Sequence, residues 1–144
     1  MRNEHTRLQR DWVSKQMVIG VQSPRGEKWD TVRIPDVLVL PKAQWRALQN
    51  QEAVIRLGED PPVLVVEVVS PSSQSIDYRA KRSEYSVLDI PEYWVIDPVE
   101  DKVTVFTLSE GWYDEAVFTG DARIVSPTYP DFPLTATQLL QGEL

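Results

Sequence analysis

The sequence predicts a mixed α/β or α+β fold whose central β-sheet is flanked by helices, and three observations support this class. The run Val63–Val69 is apolar apart from one glutamate and is bounded by prolines, as expected of a central strand buried on both faces. Helical periodicity recurs at residues 4–15 and 76–88. Short strands between residues 93 and 125 follow the second helix, and this interleaving of strands and helices favours a mixed sheet.

Length and composition predict one globular domain over residues 1–144. Hydrophobic residues make up 42% of the chain and five of the residues are tryptophan, which argues against a disordered protein. No apolar run approaches the roughly 20 residues that a membrane span needs, and the N-terminus lacks the apolar core of a signal peptide. We therefore expect a cytoplasmic protein with no membrane partner.

Charge and cysteine content limit the chemistry. The chain has no cysteine, so disulfides and thiolate metal sites are excluded, and carboxylates and His5 are the strong metal ligands that remain. His5 is expected to be a solvated or capping residue. The net charge of −7 argues against tight, sequence-independent binding to duplex nucleic acid, although a carboxylate cluster around a divalent metal would itself contribute to such a charge.

The first half of the chain predicts a helix and a hairpin. An amphipathic helix is expected over residues 4–15, followed by a short strand at Met17–Val21. A turn at residues 23–26 then leads to a second strand at Val32–Leu40, in which Pro35 marks an edge or a bend because proline cannot donate to a ladder. A hairpin is the simplest pairing of these two strands.

The second half predicts one helix and a run of strands. Residues 42–59 are expected to form a short irregular helix or loop. In a helix at Ile76–Leu88 one face carries Ile76, Ala80, Ser83 and Val87, and the shoulder of that face carries Asp77, Lys81 and Glu84. Strands are then expected at 93–98, 102–108, 112–118 and 122–125, and a final short helix at 135–140.

Glu67 is out of place in the central strand. A carboxylate buried there costs several kcal/mol unless a cation, a hydrogen-bond network or an added proton compensates for the charge. Glu67 is therefore either a structural residue, at the edge of the core or paired with a buried arginine, or a metal ligand or acid/base group at the end of the sheet.

Asp36 and Lys81 are the other two candidates. Asp36 follows a proline and precedes four aliphatic residues, so it is a turn or bulge residue or a second site carboxylate. Lys81 is either the i, i+4 partner of Asp77 or a site residue. If Asp36, Glu67 and Lys81 converge, they provide the groups for metal-assisted phosphodiester hydrolysis, and their hard oxygen ligands favour Mg²⁺ or Mn²⁺.

Four blocks of the sequence resemble one known family. The blocks are PDVLV at residues 35–39, VLVVEVVSP at 63–71, DYRAKRSEY at 77–85 and IPEYWVIDP at 90–98. Together they closely resemble the Uma family of restriction-endonuclease-like proteins, in the PD-(D/E)XK nuclease superfamily. The resemblance implies a restriction-endonuclease-like core with a mixed central sheet, and it assigns the two carboxylate positions to Asp36 and Glu67.

The sequence departs from the superfamily pattern at one position. The superfamily lysine lies two residues after the acid, on the same face of the strand, where this chain has Val69. The resemblance implies that Lys81 of the next helix fills that space and that the backbone carbonyl of Val68 completes the metal shell. Ser70 is a candidate for a water-mediated contact, and Tyr85 is a candidate for a supporting hydrogen bond one turn after Lys81.

The resulting functional expectation is a Mg²⁺- or Mn²⁺-dependent nuclease that cleaves DNA, with Asp36, Glu67 and Lys81 as catalytic residues and a homodimer as the assembly. The alternative is a catalytically weak or inactive protein of the nuclease fold that serves as an oligomeric binding or scaffold module. The acidic surface and the absence of a basic stripe favour the alternative.

Overall fold

The computed structural model describes residues 1–25, 28–49, 51–73 and 76–142, which form two sheets flanked by helices. The large sheet has six strands in the order β1-β4-β6-β7-β8-β9. Its strands are β1 Trp12–Gln16, β4 Val37–Pro41, β6 Leu64–Val68, β7 Glu92–Asp97, β8 Lys102–Ser109 and β9 Trp112–Phe118. Only the central β6–β7 pair is parallel, so the sheet is mixed, as the sequence predicts.

A small sheet has the order β3-β2-β5, with β2 Gly20–Arg25, β3 Lys28–Arg33 and β5 Val54–Ile55. The antiparallel β2–β3 pair confirms the predicted hairpin, but the predicted strand Met17–Val21 is wrong in its bounds, because β2 begins at Gly20 and continues to Arg25. The predicted strand Val32–Leu40 is wrong as a single element, because β3 ends at Arg33 and the chain continues after Pro35 as β4 in the large sheet. Residues 23–25 of the predicted turn at 23–26 belong to β2, and Gly26 lies outside the described residues.

β6 is the centre of the large sheet, and residues Leu64–Glu67 are all buried, which confirms the predicted central strand. Side chains alternate along it, so Leu64 and Val66 enter one core and Val65 enters the other. The first core lies beneath α1 Arg2–Arg7, α4 Ala136–Leu140 and the segment between β9 and α4. The second core lies beneath α2 Lys42–Leu48 and α3 Lys81–Val87.

The predicted helix over residues 4–15 is wrong beyond Arg7. Gln9 has a φ of 54°, which ends the helix, and residues 12–16 then pair with β4 as β1. Strand pairing with a distant segment prevails here over local helical periodicity. His5 is also not solvated: it is 5% exposed, its Nε2 lies 2.7 Å from the Tyr129 hydroxyl oxygen, and burial lowers its pKa.

The helix after the central strand exists, but its predicted buried face is wrong. It begins as a π-helix at Ile76–Ala80 and continues as α3. Ile76 and Val87 are 43% and 60% exposed, whereas Asp77 and Tyr85 are almost completely buried. The wide π turn changes the phase of the helix, so a uniform 100° per residue misplaces its faces.

The buried acids of this helix are tolerated because cations meet them. The Arg33 guanidinium donates to both carboxylate oxygens of Glu84, at 2.8 and 3.2 Å, and so ties β3 of the small sheet to α3. Asp77 meets Lys81, as described below. Ion pairs therefore occupy the buried positions of this helix, and its apolar side chains face the solvent. A hydrophobic pattern does not predict such ion pairs.

The C-terminal half follows the predicted meander through β9. The strand predicted at 122–125 is wrong, because these residues make only an isolated bridge between Arg123 and Thr135. The final helix is confirmed as α4, which Thr135 caps through a reciprocal capping box with Gln138. Within the described ranges, no helix has the length and apolar character to cross a bilayer.

Candidate active site

Glu67 and Asp36 lie at the same end of the large sheet. The antiparallel register pairs Val37 with Val66, and continuing it by one residue sets Asp36 opposite Glu67, on the same face. The Asp36 Oδ2 atom accepts a 2.6 Å hydrogen bond from the backbone N–H of Val68. This bond ties the start of β4 to the end of β6 and orients the half-buried Asp36 carboxylate beside the strand.

Lys81 connects this strand end to the helix above it. Its Nζ lies 2.5 Å from Glu67 Oε2 and 2.7 Å from Asp77 Oδ1. The Lys81 side chain is 15% exposed, while those of Glu67 and Asp77 are 4% and 1% exposed. The two interpretations of Lys81 are therefore realised together, because one ammonium bridges the site carboxylate and its own helical partner.

Asp77 is held independently of Lys81. Its Oδ2 accepts a 2.8 Å hydrogen bond from the Ser73 hydroxyl, and its backbone carbonyl accepts one of 2.8 Å from the Tyr93 hydroxyl. These contacts fix the π turn against β7. Because Asp77 lies one turn before Lys81, a fixed Asp77 carboxylate holds the ammonium where it can reach Glu67.

The cluster carries one cation for two buried carboxylates, and its titration reflects this imbalance. Burial raises the pKa of Glu67 to about 7, and the charges of Asp36 and Asp77 add to this rise, while Lys81 only partly opposes it. Burial alone would lower the pKa of Lys81, but Glu67 and Asp77 hold it above its usual value. Lys81 thus stays charged while Glu67 titrates near neutrality.

The two predicted supporting residues differ in position. The Tyr85 hydroxyl donates to Glu67 Oε1 at 3.2 Å, so Tyr85 contacts the central carboxylate directly. The hydroxyl of Ser70 is exposed and contacts those of Ser72 and Ser73, both at 3.1 Å. Among the described residues, Ser70 therefore reaches the cluster through Ser73 and Asp77.

A divalent ion fits the donors at this strand end. In the described part of the chain no three His, Cys, Asp or Glu residues form a ready metal cluster. Mg²⁺ is nevertheless usually held by one or two carboxylates together with water and substrate phosphate. The undercompensated charge of buried Glu67 would favour a cation, and the half-buried Asp36 carboxylate is the more exposed of the two acids. Glu67 Oε2 would be available to an ion only if Lys81 gave up its contact with this oxygen and kept the one with Asp77.

Asp77 is the site residue that sequence reasoning missed. From its spacing alone, Asp77 is a rival partner for Lys81 rather than part of the same cluster. The available signal was its i, i+4 spacing to Lys81, together with the serines that precede it. Its burial is decided by the π turn, which the hydrophobic pattern does not show.

The fold and this strand end define a protein of the restriction-endonuclease-like class, with a mixed sheet flanked by helices and two carboxylates beside a lysine. The chain belongs to the Uma2 family, because residues 4–137 match the family model described as "Putative restriction endonuclease". This match confirms the resemblance seen in the four sequence blocks.

A solved structure shares the fold. It is described as a "putative nuclease belonging to DUF820" from Anabaena variabilis, and it superposes with a TM-score of 0.67 at 19% sequence identity. The match covers 99% of this chain and 75% of that chain. A search of curated proteins gives no match.

Proposed function

We propose that this protein is a nuclease that uses Mg²⁺ or Mn²⁺ to hydrolyse phosphodiester bonds of DNA. The observation that carries the proposal is the convergence of Asp36, Glu67 and Lys81 at one strand end, with Lys81 Nζ 2.5 Å from the Glu67 carboxylate. Membership of a family described as restriction endonucleases supports the reaction class. The Anabaena protein, which is described as a "putative nuclease", shares the fold of this chain.

In this proposal Asp36, Glu67 and the backbone carbonyl of Val68 hold the metal. A bound divalent ion would acidify a water molecule and neutralise charge on the phosphate. The protein would contribute Asp36 as the more exposed acid, and a cavity of about 330 Å³ that Asp36 borders lies on the α4 face of the sheet, opposite to Glu67. Substrate would approach the strand end from Asp36, because Glu67 is buried.

Lys81 and Tyr85 act on Glu67 from the interior. If Glu67 held a metal, the Lys81 ammonium would remain paired with Asp77 and could orient a water or stabilise negative charge on the phosphate. The Tyr85 hydroxyl keeps its hydrogen bond to Glu67 Oε1 and limits the rotation of the carboxylate. Asp77 is a positioning residue, since it acts through Lys81.

One observation favours the alternative of an inactive scaffold or binding module. Both oxygens of Glu67 already have partners, Lys81 on one and Tyr85 on the other, so the cluster is also a closed structural network. If Glu67 keeps both of these contacts, it has no free oxygen for a metal. A measurement of metal affinity therefore distinguishes the nuclease from the scaffold.

The test is isothermal titration of Mg²⁺ and Mn²⁺ into the wild type, Glu67→Gln and Glu115→Gln, with a cleavage panel of plasmid, single-stranded DNA and RNA. Glu115→Gln is the matched control, because it removes an exposed carboxylate three strands away from β6. We expect metal binding and cleavage in the wild type and the control, and a loss of at least about 10³-fold in cleavage for Glu67→Gln. A wild type that binds no metal at about 10 mM, the order of concentration that fills a weak site, and that cleaves no substrate would reject the nuclease and favour the scaffold alternative.

Assembly and location remain predictions. A homodimer would present two sites to a duplex, and light scattering during gel filtration measures the mass directly. The 16.5 kDa chain should then elute as a species of twice its mass. Fractionation of producing cells tests the expected cytoplasmic location.

A further inference from the structure

A groove on the open edge of the large sheet is a second feature with binding chemistry. β1 is the outermost strand, and the described part of the chain pairs it with β4 alone. Between α1 and α2 the groove follows this edge with a volume of about 510 Å³. Its lining includes Arg10, Trp12, Ser14, Lys15 and Lys42.

The groove is positive in an acidic protein. Arg10 and Lys42 are exposed and Lys15 is half-buried, and no carboxylate is among the described residues that line it. Asp11 lies 3.5 Å from Lys42 but is 78% exposed, so the pair is weak. Three lining cations and no lining acid, among the described residues, contrast with the net charge of −7 of the whole chain. Such local charge reversal points to an anionic ligand.

Aromatic rings hold two of these cations in place. The guanidinium carbon of Arg10 lies 5.3 Å from the centre of the Trp12 ring, and Lys15 Nζ lies 4.4 Å from the centre of the Trp45 ring. Cation–π contacts of this kind orient a charge without neutralising it. Cations interleaved with aromatic rings along a groove are typical of surfaces that bind single-stranded nucleic acid.

The groove leads to the candidate active site. Lys15 pairs with Leu38, which lies two residues after Asp36 and therefore on the same face of β4. The spacing of paired strands places the Cα atoms of Lys15 and Asp36 about 8 Å apart. The backbone N–H of Met17 also donates to the carbonyl of Asp36 at 3.2 Å, so β1 ends at the site.

We propose that this groove binds the sugar–phosphate backbone of a single-stranded nucleic-acid segment and directs it to Asp36 and Glu67. That the bound strand is a substrate rests on the proposed nuclease function, whereas the binding itself does not. Arg10, Lys15 and Lys42 contact phosphates, and Trp12 offers part of its ring for stacking. An acidic peptide that pairs with the β1 edge is the competing occupant.

The test is fluorescence anisotropy of a labelled 15-nucleotide thymidine strand with the full chain in EDTA, where no metal-dependent cleavage occurs. The groove variant combines Arg10→Gln, Lys15→Gln and Lys42→Gln. The matched control combines Arg56→Gln, Arg79→Gln and Arg123→Gln, three exposed arginines outside the groove, so both variants lose the same charge. We expect Kd to rise at least tenfold for the groove variant alone, and the slope of log Kd against log salt to fall by about 2, at about 0.7 per phosphate contact.

Hydrogen exchange of the wild type with and without the strand needs no variant, and it should show protection at residues 12–16. Equal weakening in both variants, or no protection there, would overturn the proposal. If a poly-glutamate peptide competed with the labelled strand as well as the unlabelled strand does, the groove would be assigned to an acidic peptide instead. Tighter groove-dependent binding of a 15-base-pair duplex than of the single strand would overturn the single-strand assignment.

The two proposals can fail separately. Groove-dependent binding in EDTA together with an absence of cleavage would retain the groove and reject the nuclease. Cleavage that depends on Glu67 but is unchanged in both strand affinity and rate by the groove variant would retain the nuclease and reject the groove.

Discussion

Glu67 and Glu92 are buried carboxylates on neighbouring parallel strands, but they are stabilised in different ways. They are 3% and 1% exposed. Because Leu64 pairs with Glu92 and Glu67 pairs with Val95, the two acids lie at opposite ends of the β6–β7 pair. Glu67 faces the core beneath α3, and Glu92 shares the opposite face with Trp94.

Their partners show the difference. Glu92 Oε2 accepts from Trp94 Nε1 and the Ser126 hydroxyl, both at 2.5 Å, and Oε1 accepts from the backbone N–H and the hydroxyl of Thr128, at 3.1 and 2.9 Å. Four neutral donors thus surround Glu92 and fasten the segment before α4 to the core. Glu67 has one hydroxyl and a lysine that it shares with Asp77.

This comparison separates a structural carboxylate from a candidate functional one. Donors fixed on both oxygens leave Glu92 no need for another ligand. Glu67 instead depends on one lysine that it shares with Asp77. Glu67 also lies at the carboxyl end of its strand, where open α/β sheets place their ligand sites.

The largest effect on stability is expected from Glu92→Gln. The amide cannot accept all four hydrogen bonds, and its NH₂ group would face buried donors, so we expect a loss of about 3 kcal/mol in the free energy of unfolding. Urea unfolding monitored by tryptophan fluorescence measures it. Glu67→Gln should change stability by less than about 1 kcal/mol at pH 7, because Lys81 retains Asp77. Equal losses of stability in the two variants would contradict the proposed difference between Glu92 and Glu67.

The pH dependence of stability should also distinguish the two acids. Glu67 has a pKa of about 7 in the folded protein against 4.5 in the unfolded chain, so between these values the folded state binds more protons. Its contribution to stability is therefore present at low pH and is lost as pH rises toward and through 7. Between pH 5 and pH 8 the wild type should lose about 2 kcal/mol relative to Glu67→Gln. Parallel unfolding profiles of the two proteins would contradict this.

Asp77→Asn tests whether Asp77 positions Lys81. The asparagine keeps the hydrogen bond from Ser73 but has no negative charge to pair with the Lys81 ammonium. Lys81 therefore pairs more tightly with Glu67 and lowers the pKa of Glu67. We expect cleavage to fall about tenfold, or about 1.4 kcal/mol, and the acid limb of the pH–rate profile to shift to lower pH. A slower enzyme with an unshifted profile would indicate a purely structural role.

Tyr85→Phe should give the smallest effect. It removes one hydrogen bond of 3.2 Å to Glu67 and leaves the ring packed against Tyr93, so a loss of about 1 kcal/mol in unfolding free energy is expected. Cleavage should fall only a few-fold, since Lys81 remains. Tyr113→Phe is the control, because its hydroxyl donates to the carbonyl of Ile90 instead. A similar decrease in cleavage for both variants would show that the contact with Glu67 is unimportant.

The fold class, the central strand and the candidate acids could be predicted from local sequence. Val63–Val69 could be assigned because a strand buried on both faces needs an apolar composition that is local in the chain. Glu67 and Asp36 could be singled out because a carboxylate beside such residues is costly wherever they fold.

The tertiary structure alone decided β1, the buried face of the helix after the central strand, and the role of Asp77. Residues 12–16 become a strand because β4, more than twenty residues later, supplies the hydrogen bonds. Asp77 is buried because a π turn rotates it beneath Lys81, and Glu84 is buried because Arg33 of the small sheet reaches it. Long-range hydrogen bonds and ion pairs decided these features, and they leave no periodic pattern in the sequence.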